Sequence, residues 1–207
     1  QVTLSVPDLY VISDEIYEHI NFSGGHASLA EIPGMEERVI TVNGLSKGFA
    51  MTGWRLGYIG APKWIADACT KIQGQFTSGT CSISQRAAIT ALEADPAVVQ
   101  EMTNAFKTRR DLVLGLLEEI PGVRTNVPEG AFYVFPDISA YFGKKDGDHT
   151  ISNAGDLAMY LLQKGHVAMV QGDAFGAPNN LRISYAASET ELKEALRRMK
   201  EALGRLS

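Results

Sequence analysis

The segment that follows Asp95-Pro96 constrains the fold of this chain more than any other. Asp at an N-cap and Pro at the first helical position are typical of a helix start, and Pro121-Gly122 ends the segment. Between them, apolar residues recur mostly at steps of three and four, as on one face of a helix: Val99, Met102, Phe106, Val113, Leu116, Leu117 and Ile120. A helix over residues 96–120 is long enough to connect two domains. The pattern therefore predicts one domain over residues 1–95 and a smaller one over residues 121–207.

The part before this helix has the pattern of an α/β domain. Short apolar runs bounded by turn residues predict strands, and the first is expected to be a buried parallel strand. The strands are expected at Leu9–Ser13, Arg38–Val42 and Leu56–Ala61. A helix is expected from Pro62 to about Ile72, with Gly74 just past its end, and another over Ser84–Ala94. We therefore expect a mostly parallel sheet with helices.

The part after the long helix mixes short strands with helices, which predicts an α+β domain. Strands are expected over residues 130–135, 167–170 and 181–186, and a polar surface loop over residues 141–149. A helix over residues 153–164 is expected to close at Gly165. The sequence Ser188-Glu-Thr-Glu191 is a capping box that opens the final helix.

Composition excludes several classes of function. A net charge of −5 without a basic cluster argues against a nucleic-acid partner. No run of about 20 apolar residues predicts a membrane span, and no secretory signal is visible at the N-terminus, which favours the cytoplasm. Cys69 and Cys81 are too few for a disulfide framework, and the four histidines share no ligand spacing, so no metal site is predicted.

Four reactive side chains follow the strands of the first domain. Asp14 comes directly after the first apolar run, with Tyr17 close behind it, and Lys47 lies in a Gly-containing turn after the second. Arg55 precedes the third run. Open α/β sheets gather ligands at the carboxyl ends of their strands. We therefore expect an amine, a carboxylate, a phenol and a guanidinium at one sheet edge.

This set matches the requirements of pyridoxal 5'-phosphate. The cofactor aldehyde forms a Schiff base with a lysine, here Lys47. A carboxylate, here Asp14, keeps the ring nitrogen protonated by charge pairing, and Tyr17 can donate to the ring oxygen. The phosphate suits a planar guanidinium, which favours Arg55. Taken singly, each residue has an ordinary reading as a cap, a surface charge or a packed ring; their joint order favours the cofactor.

Three segments resemble the class I/II aminotransferases of the fold-type I pyridoxal-phosphate enzymes, in particular the bacterial aspartate aminotransferases. They are Val11-Ile-Ser-Asp-Glu-Ile-Tyr17, Ser46-Lys-Gly-Phe-Ala-Met-Thr-Gly-Trp-Arg55 and Asn180-Leu-Arg-Ile-Ser-Tyr185. The similarity runs from about Asp8 to the C-terminus and begins near the middle of the family's pattern. The resemblance implies the C-terminal half of such an enzyme: part of its large domain, a connecting helix and its small domain.

The resemblance also implies further roles. Arg182 matches the arginine that binds the substrate's α-carboxylate, Phe132 and Tyr133 resemble the segment that lines the pocket, and Ser46 resembles a residue near the phosphate. The implied reaction moves an amino group between an amino acid, with aspartate as the expected substrate, and a 2-oxo acid. A homodimer is implied for the full-length enzyme.

Three alternatives remain open at this point. Related fold-type I enzymes use the same cofactor residues for other reactions. An aminotransferase-like effector domain of a DNA-binding regulator would need a basic helix-turn-helix segment, and none is present. A fragment that folds without binding cofactor is the third, because the upstream loop that cradles the phosphate in the family is absent from these residues, and the isolated chain is expected to have little or no activity.

Overall fold

The structure is a computed structural model that describes all 207 residues. It divides into two compact units, residues 1–103 and residues 104–207, called unit 1 and unit 2 below. The boundary falls inside a long helix, Ala97–Glu118, which confirms the long helix predicted from the sequence. Asp95 caps this helix, since its carboxylate accepts the Ala97 N–H at 2.8 Å. None of the helices combines the length and apolar character that a bilayer span requires.

Unit 1 contains a three-stranded sheet in the order β1-β2-β3. Its strands are β1 (Val11–Asp14), β2 (Val39–Gly44) and β3 (Gly57–Gly60). β1 and β2 are parallel, with Asp14 opposite Val42. β2 and β3 are antiparallel, with Gly44 opposite Gly57. All three predicted strands are present, and β1 and β2 end at the same edge of the sheet.

Three helices belong to unit 1 alone: α1 (Val2–Ser5), α2 (Lys63–Phe76) and α3 (Ser82–Leu92). The long helix Ala97–Glu118 is α4. The expectation that the helix after Pro62 stops before Gly74 is wrong. A glycine inside a helix costs only about 1 kcal/mol relative to alanine, and α2 continues to Phe76, where the Thr77 N–H bonds the Gln73 carbonyl.

The prediction of β1 as a buried strand is also wrong. Burial alternates along β1, and the Ile12 side chain is 75% exposed, so one face of the strand is uncovered. No residue of α2 is buried, although it carries Trp64, Ile72 and Phe76. The buried apolar residues of unit 1 are few: Ile20, Met35, Val39, Leu45 and Ala88. Unit 1 therefore has a small core beside a large exposed apolar surface.

Unit 2 contains an antiparallel sheet in the order β4-β8-β7. Its strands are β4 (Tyr133–Val134), β7 (Val170–Gln171) and β8 (Leu181–Ser184), all shorter than the predicted strands. A two-stranded hairpin, β5 (Lys145–Asp146) and β6 (His149–Thr150), lies between β4 and β7 in the sequence.

The prediction of residues 141–149 as a polar surface loop is wrong in two respects. The segment contains the hairpin, whose tight turn is allowed by Gly147 at φ +57°. It also begins with a core residue, because Tyr141 is buried and its hydroxyl donates to the Pro121 carbonyl. The polar composition concealed both the strand pairing and the buried ring.

Two helices complete unit 2. α5 (Ala154–Tyr160) continues as a π-helical turn through Gly165 and ends at His166, which has a left-handed φ of 54°. The closing residue is therefore His166 and not the predicted Gly165. α6 (Glu189–Leu203) confirms the predicted capping box: Ser188 accepts the Glu191 N–H, and the Glu191 carboxylate accepts the Ser188 N–H. Its buried face holds Leu192, Leu196, Met199, Ala202 and Leu203.

Candidate active site

Lys47 lies in the turn that follows β2. The turn is closed by two backbone hydrogen bonds, from the Ala50 N–H to the Lys47 carbonyl at 3.2 Å and from the Met51 N–H to the Leu45 carbonyl at 3.1 Å. Leu45 is buried and Lys47 is half-buried. The buried Leu45 fixes the start of the turn, so the lysine leaves the sheet edge from an ordered backbone.

Any side chain on Gly48, the residue after the lysine, would require His19 to move. A Cβ atom on Gly48 would lie 2.6 Å from Cδ2 of His19, closer than real contacts allow. The His19 ring also meets Phe49 edge to face, with 5.3 Å between centroids. Thr103 donates to the His19 carbonyl at 2.6 Å. His19 therefore packs directly against the backbone of the lysine turn, a contact that the sequence pattern did not reveal.

Asp14 and Tyr17 lie at the same sheet edge as the lysine turn. Asp14 is the last residue of β1, opposite Val42 of the parallel strand β2. Its carboxylate is exposed and accepts the Ile16 N–H at 3.2 Å. Tyr17 is half-buried in the following turn, whose Ile20 N–H bonds the Tyr17 carbonyl. The parallel register therefore brings the last residue of β1 and the lysine turn after β2 to the same edge of the sheet.

Arg55 is connected to the lysine turn by hydrogen bonds. It has a left-handed φ of 53° after the short turn Thr52–Trp54, and its Nη1 donates to the Thr52 carbonyl at 2.9 Å. The Thr52 hydroxyl in turn donates to the Ser46 carbonyl at 2.8 Å. Because Gly44 pairs with Gly57, Ser46 and Arg55 each lie two residues beyond the last strand pair. Ser46 and Arg55, the residues predicted to lie near the phosphate, are thus both just past the end of the β2–β3 ladder.

Next to Asp14 the structure shows a cluster that the sequence analysis missed. The Glu15 carboxylate is buried and accepts hydrogen bonds from Ser13 at 3.0 Å, Ser28 at 2.9 Å and His26 at 2.9 Å. Burial alone would raise the pKa of the Glu15 carboxyl. The hydrogen bonds from His26, Ser28 and Ser13 outweigh burial, so the pKa is lowered and the group stays charged at neutral pH.

The same cluster brings together groups that can bind metals. Glu15, Glu18 and His26 offer ligand atoms within 4.8 Å of one another. Both Glu15 oxygens already accept hydrogen bonds from protein donors, so no metal ion is needed to explain the buried charge of this carboxylate. The absence of a metal site stays a prediction.

In unit 2, Arg182 lies between two aromatic rings. Its guanidinium carbon is 4.6 Å from the ring centroid of Tyr133 and 4.6 Å from that of Phe175. Arg182 is half-buried on β8 and forms no salt bridge with a carboxylate of the chain. An arginine in a strand usually forms a structural ion pair, and Arg182 does not. The guanidinium is stacked and oriented while its fork remains available to an anion.

The Phe132 and Tyr133 rings lie 4.7 Å apart between centroids, but each has a different further partner. The Phe132 ring is buried and stacks on Phe106, with 5.2 Å between centroids, so it packs in the core of unit 2. Tyr133 lies beside Arg182. Substrate binding by Phe132 stays a prediction, and Tyr133 is the neighbouring ring that contacts the arginine. Phe175 was missed, because a short turn opened by Gly172 brings its ring to β8, and the sequence shows only a Gly-rich loop.

The donor set at the edge of unit 1 fits pyridoxal phosphate chemically. Lys47 offers an amine, Asp14 an exposed carboxylate, and Arg55 a guanidinium whose observed partner is a carbonyl oxygen. Tyr17 adds a phenol from the turn after Asp14. These groups complement an aldehyde, a protonated ring nitrogen, a phosphate and a ring oxygen respectively.

Comparison with known families decides the classification. The family model described as aminotransferase class I and II matches residues 4–199. The chain belongs to the class I and II aminotransferases. This aminotransferase chain is 53% identical over 202 residues to a bifunctional aspartate aminotransferase and glutamate/aspartate-prephenate aminotransferase of Petunia hybrida. That alignment covers 95% of the chain and 42% of the Petunia protein.

Bacterial relatives agree in sequence and in structure. An aspartate aminotransferase of Rhizobium meliloti strain 1021 is 44% identical over 210 residues, which covers 100% of this aminotransferase chain and 51% of the relative. A crystal structure of the aspartate aminotransferase from Rhizobium meliloti superposes with a TM-score of 0.95 at 44% identity, covering 100% of the chain and 52% of that structure. The chain thus matches part of the aminotransferase fold, and it spans about half the length of these relatives.

Proposed function

We propose that this chain supplies the lysine-bearing half of a pyridoxal-phosphate-dependent aminotransferase. The observation that carries the proposal is the parallel register of β1 and β2, by which Asp14 ends β1 and the Lys47 turn follows the end of the neighbouring strand β2. Family membership supports the same reaction class. The names of the Petunia and Rhizobium relatives favour aspartate as the amino donor, with a 2-oxo acid as acceptor.

Each site residue has a defined task in this proposal. When bound, pyridoxal phosphate supplies an aldehyde that condenses with amines and a ring that withdraws electrons. Lys47 provides the amine for attachment, and the same amine then moves the proton of the substrate's α-carbon as general base and acid. Asp14 holds the proton on the ring nitrogen by charge pairing. Tyr17 donates to the ring oxygen, and Arg55, beside Ser46, binds the phosphate.

In unit 2, Arg182 binds the α-carboxylate of the substrate. A planar fork fixes both the charge and the orientation of a carboxylate. Stacking between Tyr133 and Phe175 limits the rotamers of the arginine, so less conformational entropy is lost on binding. Phe132 contributes by packing behind Tyr133, at 4.7 Å between ring centroids.

The same proposal covers the wider setting. We place the full-length enzyme in the cytoplasm as a homodimer that takes small amino and oxo acids as substrates and has no nucleic-acid or membrane partner. The 207-residue chain alone is expected to retain cofactor weakly and to turn over little substrate, since it spans about half the length of its relatives.

Borohydride trapping tests the proposal. The full-length protein that contains this chain is incubated with pyridoxal phosphate, reduced with borohydride, digested and analysed by mass spectrometry. We expect a cofactor mass shift on the peptide that contains Lys47. Lys47→Arg should abolish it, because a guanidinium keeps the charge but does not condense with the aldehyde. Lys71→Arg, an exposed change on α2, is the control and should leave the adduct intact. A wild-type full-length protein with no label on Lys47, or with equal label on all lysines, contradicts the proposal.

A further inference from the structure

The Glu15 side chain and the Asp14 side chain leave β1 on opposite faces. Side chains alternate along a strand, and the Glu15 N–H continues the parallel ladder by bonding the Val42 carbonyl at 2.8 Å. Ser13 and Glu15 accordingly share a face and are joined by a hydrogen bond, while Ile12 and Asp14 are exposed on the other. The orientation of Asp14 therefore depends on how firmly Glu15 is held.

Glu15 is held from two segments of the chain. Ser13 donates from β1 itself, and His26 and Ser28 donate from the loop that follows Tyr17. Ser28 has a second task, since its hydroxyl accepts the Ala30 N–H and starts the helical turn Leu29–Glu31. The carboxylate thus attaches an ordered loop to the end of β1. A buried, charged acceptor with three donors tolerates little displacement, because any lost donor leaves buried charge unpaired.

We propose that Glu15, His26 and Ser28 form a positioning cluster that holds Asp14 in the direction required by the cofactor's ring nitrogen. The inference rests on the proposed function for the identity of that target. Its geometric basis is independent of the cofactor. On the buried face, the hydrogen bonds to Glu15 hold the backbone at the end of β1. On the exposed face, the Asp14 carboxylate holds the same backbone by accepting the Ile16 N–H. The three residues are positioning residues and do not touch the substrate.

Hydrogen exchange tests the positioning itself, without cofactor. The double variant His26→Ala/Ser28→Ala removes two of the three donors and leaves Glu15 in place. We expect the amides of Glu15 and Ile16 to exchange at least about tenfold faster, the equivalent of one lost hydrogen bond of about 1.4 kcal/mol. Ser23→Ala is the matched control, because Ser23 lies in the same loop and bonds only Asn21. Unchanged exchange at both amides in the double variant contradicts the positioning role.

A double-mutant cycle tests the connection to Asp14. In the full-length protein that contains this chain, cofactor retention at Lys47 is measured by borohydride trapping against pyridoxal phosphate concentration, for the wild type, His26→Ala, Asp14→Asn and the combination. If His26 acts through Asp14, its removal weakens retention by about tenfold in the wild type and by less than about twofold in the Asp14→Asn background. If the fold-losses of retention in His26→Ala and Asp14→Asn multiply in the combined variant, the two residues act independently. The cluster then serves stability alone, and the inference is overturned.

The two arms separate the inference from the function on which it rests. Absence of any Lys47 adduct in the wild type contradicts the proposed function. The exchange rates of Glu15 and Ile16 still decide whether the cluster positions the strand end. Faster exchange together with a coupled cycle is the result that supports the inference in full.

Discussion

The guanidinium of Arg182 is oriented by stacking and is not neutralised by a neighbouring carboxylate. Two rings flank it at 4.6 Å, a geometry in which each contact contributes about 0.5–1 kcal/mol at a partly exposed site. Such an arginine is prepared for an anion from outside the chain. Lysine at the same position would keep the charge but would lose the planar fork and the stacking.

We predict that Arg182→Lys impairs binding of the substrate carboxylate. In the holoenzyme that contains this chain, KM for the amino acid should rise by about 10- to 100-fold, because a hydrogen bond to a charged group contributes about 1.5–3 kcal/mol. Steady-state kinetics measure the change. Arg124→Lys is the matched control, since Arg124 lies in the same unit in an exposed ion pair with Asp137. Equal KM values for Arg182→Lys and the control would refute the role.

At the residue level, the sequence predicts groups that follow strand ends but not groups that meet through loops. Asp14 and Lys47 were found because each follows an apolar run. His26 was not found, because its bond to Glu15 joins residues 11 positions apart through a loop without a periodic pattern. Phe175 was missed for the same reason. The sequence did contain a signal for Glu15: side chains alternate along a strand, so Glu15 is expected on the face away from Asp14, which is the buried face.

At the element level, local signals located α6 better than any strand of unit 2. The capping box and the apolar face of α6 are both readable within a few residues. β4 and β7, by contrast, have two residues each and exist only because β8 lies between them. A two-residue strand has no periodicity to detect. Strand length in unit 2 was therefore overestimated wherever an apolar run continued past the paired residues.

We predict that Ser188→Ala lowers the free energy of unfolding by about 1 kcal/mol, the usual effect of losing an N-cap side chain. The mutation removes the oxygen that accepts the Glu191 N–H and the hydroxyl that donates to the Glu191 carboxylate. Urea denaturation followed by circular dichroism measures the loss. Thr190→Ala is the control: Thr190 is exposed on the same helix, and the change should stay within about 0.5 kcal/mol.

The effect of Ser188→Ala should also depend on pH. Hydrogen bonds from the Ser188 hydroxyl and N–H lower the pKa of the Glu191 carboxyl. A lowered pKa in the folded state stabilises the protein above the ordinary pKa of glutamate, and this stabilisation is lost as the pH falls through the lowered value. The difference between wild type and Ser188→Ala should therefore shrink on acidification. A difference that grows at low pH contradicts this account of the cap.

At the scale of the whole molecule, the two units differ in how well they bury apolar side chains. α2 has no buried residue, and its Phe76 is 83% exposed. α6 instead buries five residues, among them Leu196 at 3% exposure. Because hydrophobic stabilisation scales with the apolar area removed from water, the stability of this chain should reside mainly in unit 2.

Two matched substitutions test this asymmetry. Leu196→Ala should lower the free energy of unfolding by about 2–5 kcal/mol, because it deletes buried methyl groups and leaves a cavity. Phe76→Ala removes a larger side chain from α2 but should change stability by less than about 0.5 kcal/mol, since the ring is already in water. Urea unfolding of both variants measures the difference, and hydrogen exchange locates it: amides of α2 should exchange faster than those of α6.

A large loss of stability in Phe76→Ala would mean that the ring is buried in solution, for example against a second copy of the chain. A dependence of that loss on protein concentration would identify such an association.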